Sequence, residues 1–444
     1  MTSRKALFVL VALMGIWCFT FLPVLSNQEA SLLKNPFKKK VLDNGLTLIY
    51  QKDTSSAITV LQILIKGGKG AEPESKEGLA YLTTRLALEI PDQKKVQDMM
   101  SQASRIYSMG QADYSLVNIM SLSENLEKTL KITTKILLKP LFSGMRIDII
   151  KKQMDYQRKR QEDDPIQVGY YALLEKLFAN TSYGGSVLGS EKSLKAIKKK
   201  NIKNFYENYF TAKNMIVAVI SDLKEEVLSE ILYKYFAKFP TGEPPESKQN
   251  AVSIPEEKNI FIERDTKQLF ISLAFPLPQI TSKNFTLAYM LENLLGKGVN
   301  SRLWPLRSRE KLAYNVNSRA TQMKDGGILE AYLETDKEKK DVALEALKKV
   351  LNELFENGIT EEELEVTKTN SKAYFLRDNE TKDKRTSSLA SFEAYGLGCG
   401  FLSRFSSEID AISLEEVNVY IKDILNPKKV VEVVVGPKET PEED

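Results

Sequence analysis

One order of elements runs through this chain twice, and that repetition limits its fold more than any other feature. Alternating apolar residues mark strands at 41–50 (VLDNGLTLIY) and 57–66 (AITVLQILIK). Strands at 260–264 and 269–275 flank DTKQ as 46–50 and 57–65 flank DTSS. The stretch LAYLTTRLA (79–87), with Leu79, Leu82 and Leu86 on one helical stripe, returns as LAYMLENLL (287–295). The helix, turn and β-branched strand of 203–222 return as 415–437. These echoes predict an α+β chain, two homologous α/β modules in tandem, each an antiparallel-rich sheet covered by helices. The first module spans 36–239 and the second 260–438. Between them lies a linker at 240–259 (PTGEPPESKQNAVSIPEEKN), rich in proline, glycine and charge. A chain of 444 residues exceeds what one core usually serves, which agrees with two units.

Further helices are expected at 93–104, 124–138, 143–161, 168–178 and in the 190s, where Ser190 is a cap, with a short one at 224–236. Residues 104–123 alternate as a strand pair. The run TEEELE (360–365) reads as a capped helix start. Gly67, Gly68 and Gly70 lack the dinucleotide fingerprint, and GKGVN (296–300) lacks the phosphate-loop framework, so neither points to a nucleotide.

A net charge of +4 and no basic block interleaved with aromatics argue against nucleic acid. The lysine triplets at 38–40 and 198–200 read as solvated faces. Arg4 and Lys5 precede an apolar run from Ala6 to Leu25, with Val24 and Ser26 suited to a cleavage site. Residues 1–26 therefore read as an export signal, placing the protein in the periplasm or another extracytoplasmic space. The run is also long enough to be an uncleaved membrane anchor, although Lys34 and Lys38 to Lys40 favour the opposite orientation. Cys18 follows Trp17, a poor lipoprotein signal, and Cys399 alone in the mature chain forms no internal disulfide. In GLGCG it reads as a small buried residue.

Positions 81, 84 and 85 fall on one face of the helix at 79–87, and they hold Tyr81, Thr84 and Arg85. The frame around them, Gly-Leu-Ala, five residues and an apolar run, resembles the pitrilysin/insulinase type of zinc peptidase, the inverzincins, whose five residues read H-x-x-E-H. Asp43-Asn44-Gly45-Leu46, YGGSVLGSEKSLKAI (183–197) and NYFTAKNMIVAVISD (208–222) extend the resemblance over most of the mature chain. It implies a third zinc ligand eight residues before Pro165, which here is Gln157. Tyr81 and Arg85 then stand where the family has imidazoles, and Thr84 where it has the general base. The chain has no histidine, and a guanidinium offers no lone pair to a metal. No cofactor is expected in this chain. Arg85 is expected to stack on Tyr81 as a filler of the lost site.

The second module keeps more. SRLWPLRSREKLAYNV (301–316) resembles the family motif S-R-L-x-x-x-L-R-x-x-x-G-L-x-Y, one residue shorter and with Lys311 in place of glycine. The resemblance puts the family's arginine, which holds a substrate carbonyl, at Arg307, and its oxyanion-donating tyrosine at Tyr314. Arg302 is expected to support the fold and Arg309 to face solvent. The bland alternative is an arginine at a helix C-terminus and a tyrosine packed on a sheet edge. Some members of the family divide catalysis between two chains, one with zinc and one with this pair. The resemblance implies the second kind, a subunit inactive alone that serves a zinc-bearing homologous partner in cleaving peptides. A binding or assembly protein that keeps the fold without hydrolysis is the rival reading.

Overall fold

The computed structural model describes residues 36–437, except 91, 102, 247, 248 and 257. The expected signal or anchor at 1–26 lies outside these residues. The first half forms β1 (Lys38–Val41), β2 (Thr47–Lys52), β3 (Ile58–Ile65), α1 (Leu79–Ala87), α2 (Gln93–Ser101), β4 (Arg105–Gly110) and β5 (Ser115–Leu122). It continues with α3 (Leu126–Leu138), α4 (Gly144–Glu162), α5 (Pro165–Leu177), α6 (Glu191–Ala196), α7 (Lys199–Tyr209), β6 (Met215–Ser221) and α8 (Glu225–Phe236). The second half forms β7 (Asn259–Glu263), β8 (Leu269–Leu277), α9 (Ser282–Gly296), α10 (Trp304–Ser308), β9 (Asn315–Met323) and β10 (Gly326–Thr335). Then come α11 (Lys340–Asn357), α12 (Glu361–Asp378), α13 (Lys382–Ala394), α14 (Phe401–Ala411), α15 (Leu414–Ile424) and β11 (Val431–Gly436).

The first sheet has the order β1-β2-β6-β3-β5-β4 and the second β7-β11-β8-β10-β9. Apart from β1 the two orders correspond strand for strand. In each, one pair is parallel, β2 with β6 and β7 with β11, and the remaining pairs are antiparallel. The duplication read from the sequence is thus a duplication of topology. One expected strand divides. Residues 41–50 contain an Asn-Gly turn with Gly45 at φ +88, so Lys38–Val41 folds back on Thr47–Tyr50 as a hairpin.

Each sheet is covered on both faces, and the strand period of two sorts the residues. In the first, Leu61, Ile63, Ile65, Val117, Ile119, Val217 and Val219 face α3 and α8. Their neighbours Leu64, Leu116, Ile216, Ala218 and Ile220 face the other way, into a core shared with Leu389 and Ala390 of α13. The first sheet is therefore closed by a helix of the second half. The reverse also holds: α5, from the first half, places Leu173, Leu174 and Leu177 against Phe270, Ala274, Val433 and Val435 of the second sheet. The chain exchanges one helix each way.

Candidate functional site

Helix α1 starts at a left-handed Gly78 (φ +92) that carries no capping side chain of its own. Glu72 supplies the cap from the preceding turn, accepting the N–H of Gly78 at 3.0 Å and of Ala80 at 2.8 Å. Leu79, Leu82 and Leu86 turn into a core with Ile147, Ile150 and Met154 of α4. The face left over carries the three positions where the resemblance sets zinc chemistry.

Tyr81 lies along β4, so close that a Cβ on Gly110 would sit 3.1 Å from its ring. Thr84 is fully buried and its hydroxyl donates to the Ala80 carbonyl at 2.9 Å. Arg85 reaches Glu89 at 3.5 Å, one turn on, and Glu89 also takes Arg146 of α4 in a short contact. The expected stack of Arg85 on Tyr81 is not formed, because a carboxylate one turn away outbids a ring for a guanidinium. Gln157 is exposed on the outer side of α4; one turn after Met154 the inward side chain is the largely covered Arg158, which pairs with Asp155 at 2.6 Å. These residues do not fit zinc: one hydroxyl already spent on a carbonyl, one guanidinium in an ion pair, and an amide facing water. Among the described residues no group of three His, Cys, Asp or Glu side chains is placed to hold a metal ion.

The second set sits on the other module. The Ser301-Arg302-Leu303 run holds the short α10 in place. Ser301 Oγ donates to Gly298 O at 2.8 Å, Arg302 pairs with Glu363 at 2.7 Å, and Leu303 is fully buried. Arg309 is exposed, as expected. Anchored this way, α10 presents Arg307 in its last turn, exposed, with the guanidinium 5.3 Å from the Trp304 ring. Arg307 makes no ion pair among the described residues. Lys311, where the motif has glycine, lies at φ +55, the left-handed region that explains why glycine suits this turn.

Tyr314 leads into β9, its N–H donating to Glu334 O at 2.9 Å. Its side chain is 54% exposed, and the hydroxyl donates to Asp336 at 3.0 and 3.3 Å. That hydrogen bond, then the charge of Asp336, pushes the phenol up, so Tyr314 stays a donor. Asp336 is held below the usual carboxylate range by Lys339 and by Tyr314. Neither the Asp336–Lys339 support nor the Glu89–Arg146 sink was foreseen, although Glu89 stands four residues after Arg85, a spacing that signals a helical pair. No hydrogen bond or ion pair joins Arg307 or Tyr314 to Tyr81, Thr84 or Arg85 among the described residues.

Residues 47–191 match the model of the insulinase family, peptidase family M16, and residues 196–371 match that of the peptidase M16 inactive domain. Together the two matches take in well over half the chain. The chain belongs to the M16 peptidase family. The non-peptidase homolog YmxG of Helicobacter pylori is 23% identical over 94% of this chain and 95% of its own length. The zinc protease PqqE of the same organism is also 23% identical, over 77% of this chain and 79% of its own. Among solved structures, an M16 inactive domain from Pseudomonas fluorescens superposes with a TM-score of 0.83 at 21% identity, covering 92% of this chain and 99% of its own. A chain of complex III2 from Candida albicans gives 0.78 at 17%, covering 90% and 95%. In this M16 chain, helix α1 carries Tyr81, Thr84 and Arg85 in the internal contacts described above.

Proposed function

We propose that this chain is the catalytically incomplete subunit of an exported, heterodimeric M16 peptidase, inactive alone. A zinc-bearing homologous subunit would supply the metal, the water and the general base. This chain would contribute Arg307, Tyr314 and part of the enclosing wall for a peptide substrate. The observation that carries the reading is the contrast between the two sets. At the positions where the resemblance sets zinc chemistry, Thr84 and Arg85 are spent on internal partners, whereas Arg307 is presented to solvent without an ion pair among the described residues. Its planar fork suits a peptide carbonyl, and the Tyr314 phenol can donate to an oxygen that gains negative charge.

The test pairs the chain with a zinc-bearing homologue. Arg307→Ala and Tyr314→Phe should each lower kcat by roughly 10²-fold while complex formation persists. Unchanged turnover in both variants would remove the catalytic role. Secretion is checked by fractionation, with the protein expected outside the cytoplasm.

A second reading, a binding or assembly protein with no part in hydrolysis, is favoured by one observation: the Tyr314 hydroxyl is already engaged with Asp336. That reading predicts a stable complex whose turnover is indifferent to both substitutions. The name of the Helicobacter relative, a non-peptidase homolog, fits either reading.

A further inference from the structure

A cleft of about 580 Å³ opens between the turn before α1, the ends of α4 and α5, the glycine-rich loop before α6, and β7 of the second module. Its size is that of ordinary small-ligand sites. At its wall stands Lys69, on the single turn after β3, with 3% of its surface exposed. Among the described residues the Lys69 ammonium has neither a hydrogen bond nor an ion pair. Glu72, the carboxylate that pulls on Lys69 most strongly, accepts the N–H groups of Gly78 and Ala80. Burying an ammonium outside an ion pair costs several kcal/mol, a cost that an anionic group bound before it would offset. Burial pushes the Lys69 amine down, against the pull of Glu72, Glu77 and Glu175.

The same cleft holds unpaired carboxylates. Glu77 and Glu175 both line it and neither forms an ion pair among the described residues. Glu175 is kept open by Gly185 (φ +74), where a Cβ would lie 3.2 Å from Oε1. Arg158 and Glu162, also in the wall, already neutralise each other. A cavity whose wall carries cations and carboxylates outside any ion pair among the described residues, with Lys69 the buried one of the cations, is complementary to a ligand bearing both charges. We propose that this cleft binds the ends of a short peptide, its free carboxylate on Lys69 and its ammonium on Glu175. Because Arg264 of the second module also lines the cleft, a bound peptide would bridge the two halves of the chain. The site is independent of Arg307 and Tyr314, so its failure would leave the proposed subunit role untouched.

Calorimetry of the full chain with trialanine tests it, alongside trialanine amide, N-acetyl-trialanine and inorganic phosphate. Trialanine is expected to bind saturably, and loss of either terminal charge should weaken it by about tenfold or more, the worth of one charge-assisted hydrogen bond. Lys69→Met should abolish the preference for carboxylate over amide. Glu175→Gln, at a more open position, should abolish the preference for the free amine and so serves if Lys69→Met does not fold. Equal affinity for the peptide and its amide, phosphate binding as tight as trialanine, or no saturable binding at all would overturn the proposal.

Discussion

Arg319 and Glu330 face each other across β9 and β10, and a single substitution there reports on how the molecule holds together. Glu330 is fully buried, accepts Arg319 Nε at 2.7 Å and takes a weaker bond from Ser272 at 3.3 Å. Tyr170, from the first half, covers the guanidinium at 4.1 Å. Burial pushes the Glu330 carboxyl up while Arg319 pulls it back. Arg319→Ala strands a buried carboxylate and is predicted to cost about 3–5 kcal/mol in urea unfolding at neutral pH. A loss under 1 kcal/mol would mean that water reaches Glu330. Glu72 supplies a pH signal of definite sign. Burial raises its carboxyl from 4.5 to about 7 in the folded chain. Folding therefore favours the protonated form: this contribution is full below about pH 4.5 and lost as pH rises through 7. Its size is on the order of 3 kcal/mol. Glu72→Gln should flatten the fall in melting temperature between pH 5 and 8, and an unchanged slope would refute the assignment.

Two helices, α5 and α13, carry the exchange between modules, each meeting the opposite sheet through polar as well as apolar contacts. On α13, Lys382 donates to the carbonyls of Asp53, Ser56 and Ile58 at 2.8, 2.8 and 2.9 Å. Asp383 takes Asn118 at 2.6 Å, Ser387 takes Gln62 at 2.7 Å, and Arg385 pairs with Asp53. Thus Gln62 and Asn118, polar side chains buried in core strands of the first sheet, are answered by a helix from the other half. On α5, Gly169 lets the helix lie directly on β8, where a Cβ would meet the Phe270 ring at 2.4 Å. Gly169→Ala gains helix propensity locally but must lift α5 off the sheet. A net loss of about 1–3 kcal/mol is predicted, read from the shift of the urea midpoint. A stabilised variant would show that the contact relaxes freely.

For the whole molecule, the exchange means that neither half owns a finished core. Without α13, the face of Leu64, Leu116, Ile216 and Ile220 is bare; without α5, so is the face of Phe270, Val433 and Val435. Apolar faces of this kind are not left open in soluble proteins. Residues 36–239 expressed alone are predicted to be insoluble or aggregated, and soluble when co-expressed with 240–438. A soluble, cooperatively melting first half on its own would contradict this. The cleft at Lys69 and the interface polar residues depend on the same arrangement, since each draws on both halves.

Much of this protein was legible from residue order alone. Local periodicity marked the helices and strands of the first half and their echoes in the second, but left α10, β9, β10, α11, α13 and α14 unassigned, while caps such as Ser190 and Thr360 fell where expected. The duplication was readable because two copies had to keep the same apolar spacing, and the absence of histidine, on which the expectation of a lost zinc site rests, is a fact of the sequence itself. What only the tertiary structure decided is who partners whom. An apolar stripe on α5 or α13 says that a helix is buried but not on which sheet, since the two sheet faces are chemically alike. In the same way Tyr314 turned to Asp336 and Lys69 to an open cleft, because such contacts and cavities arise from distances in space that residue spacing does not encode.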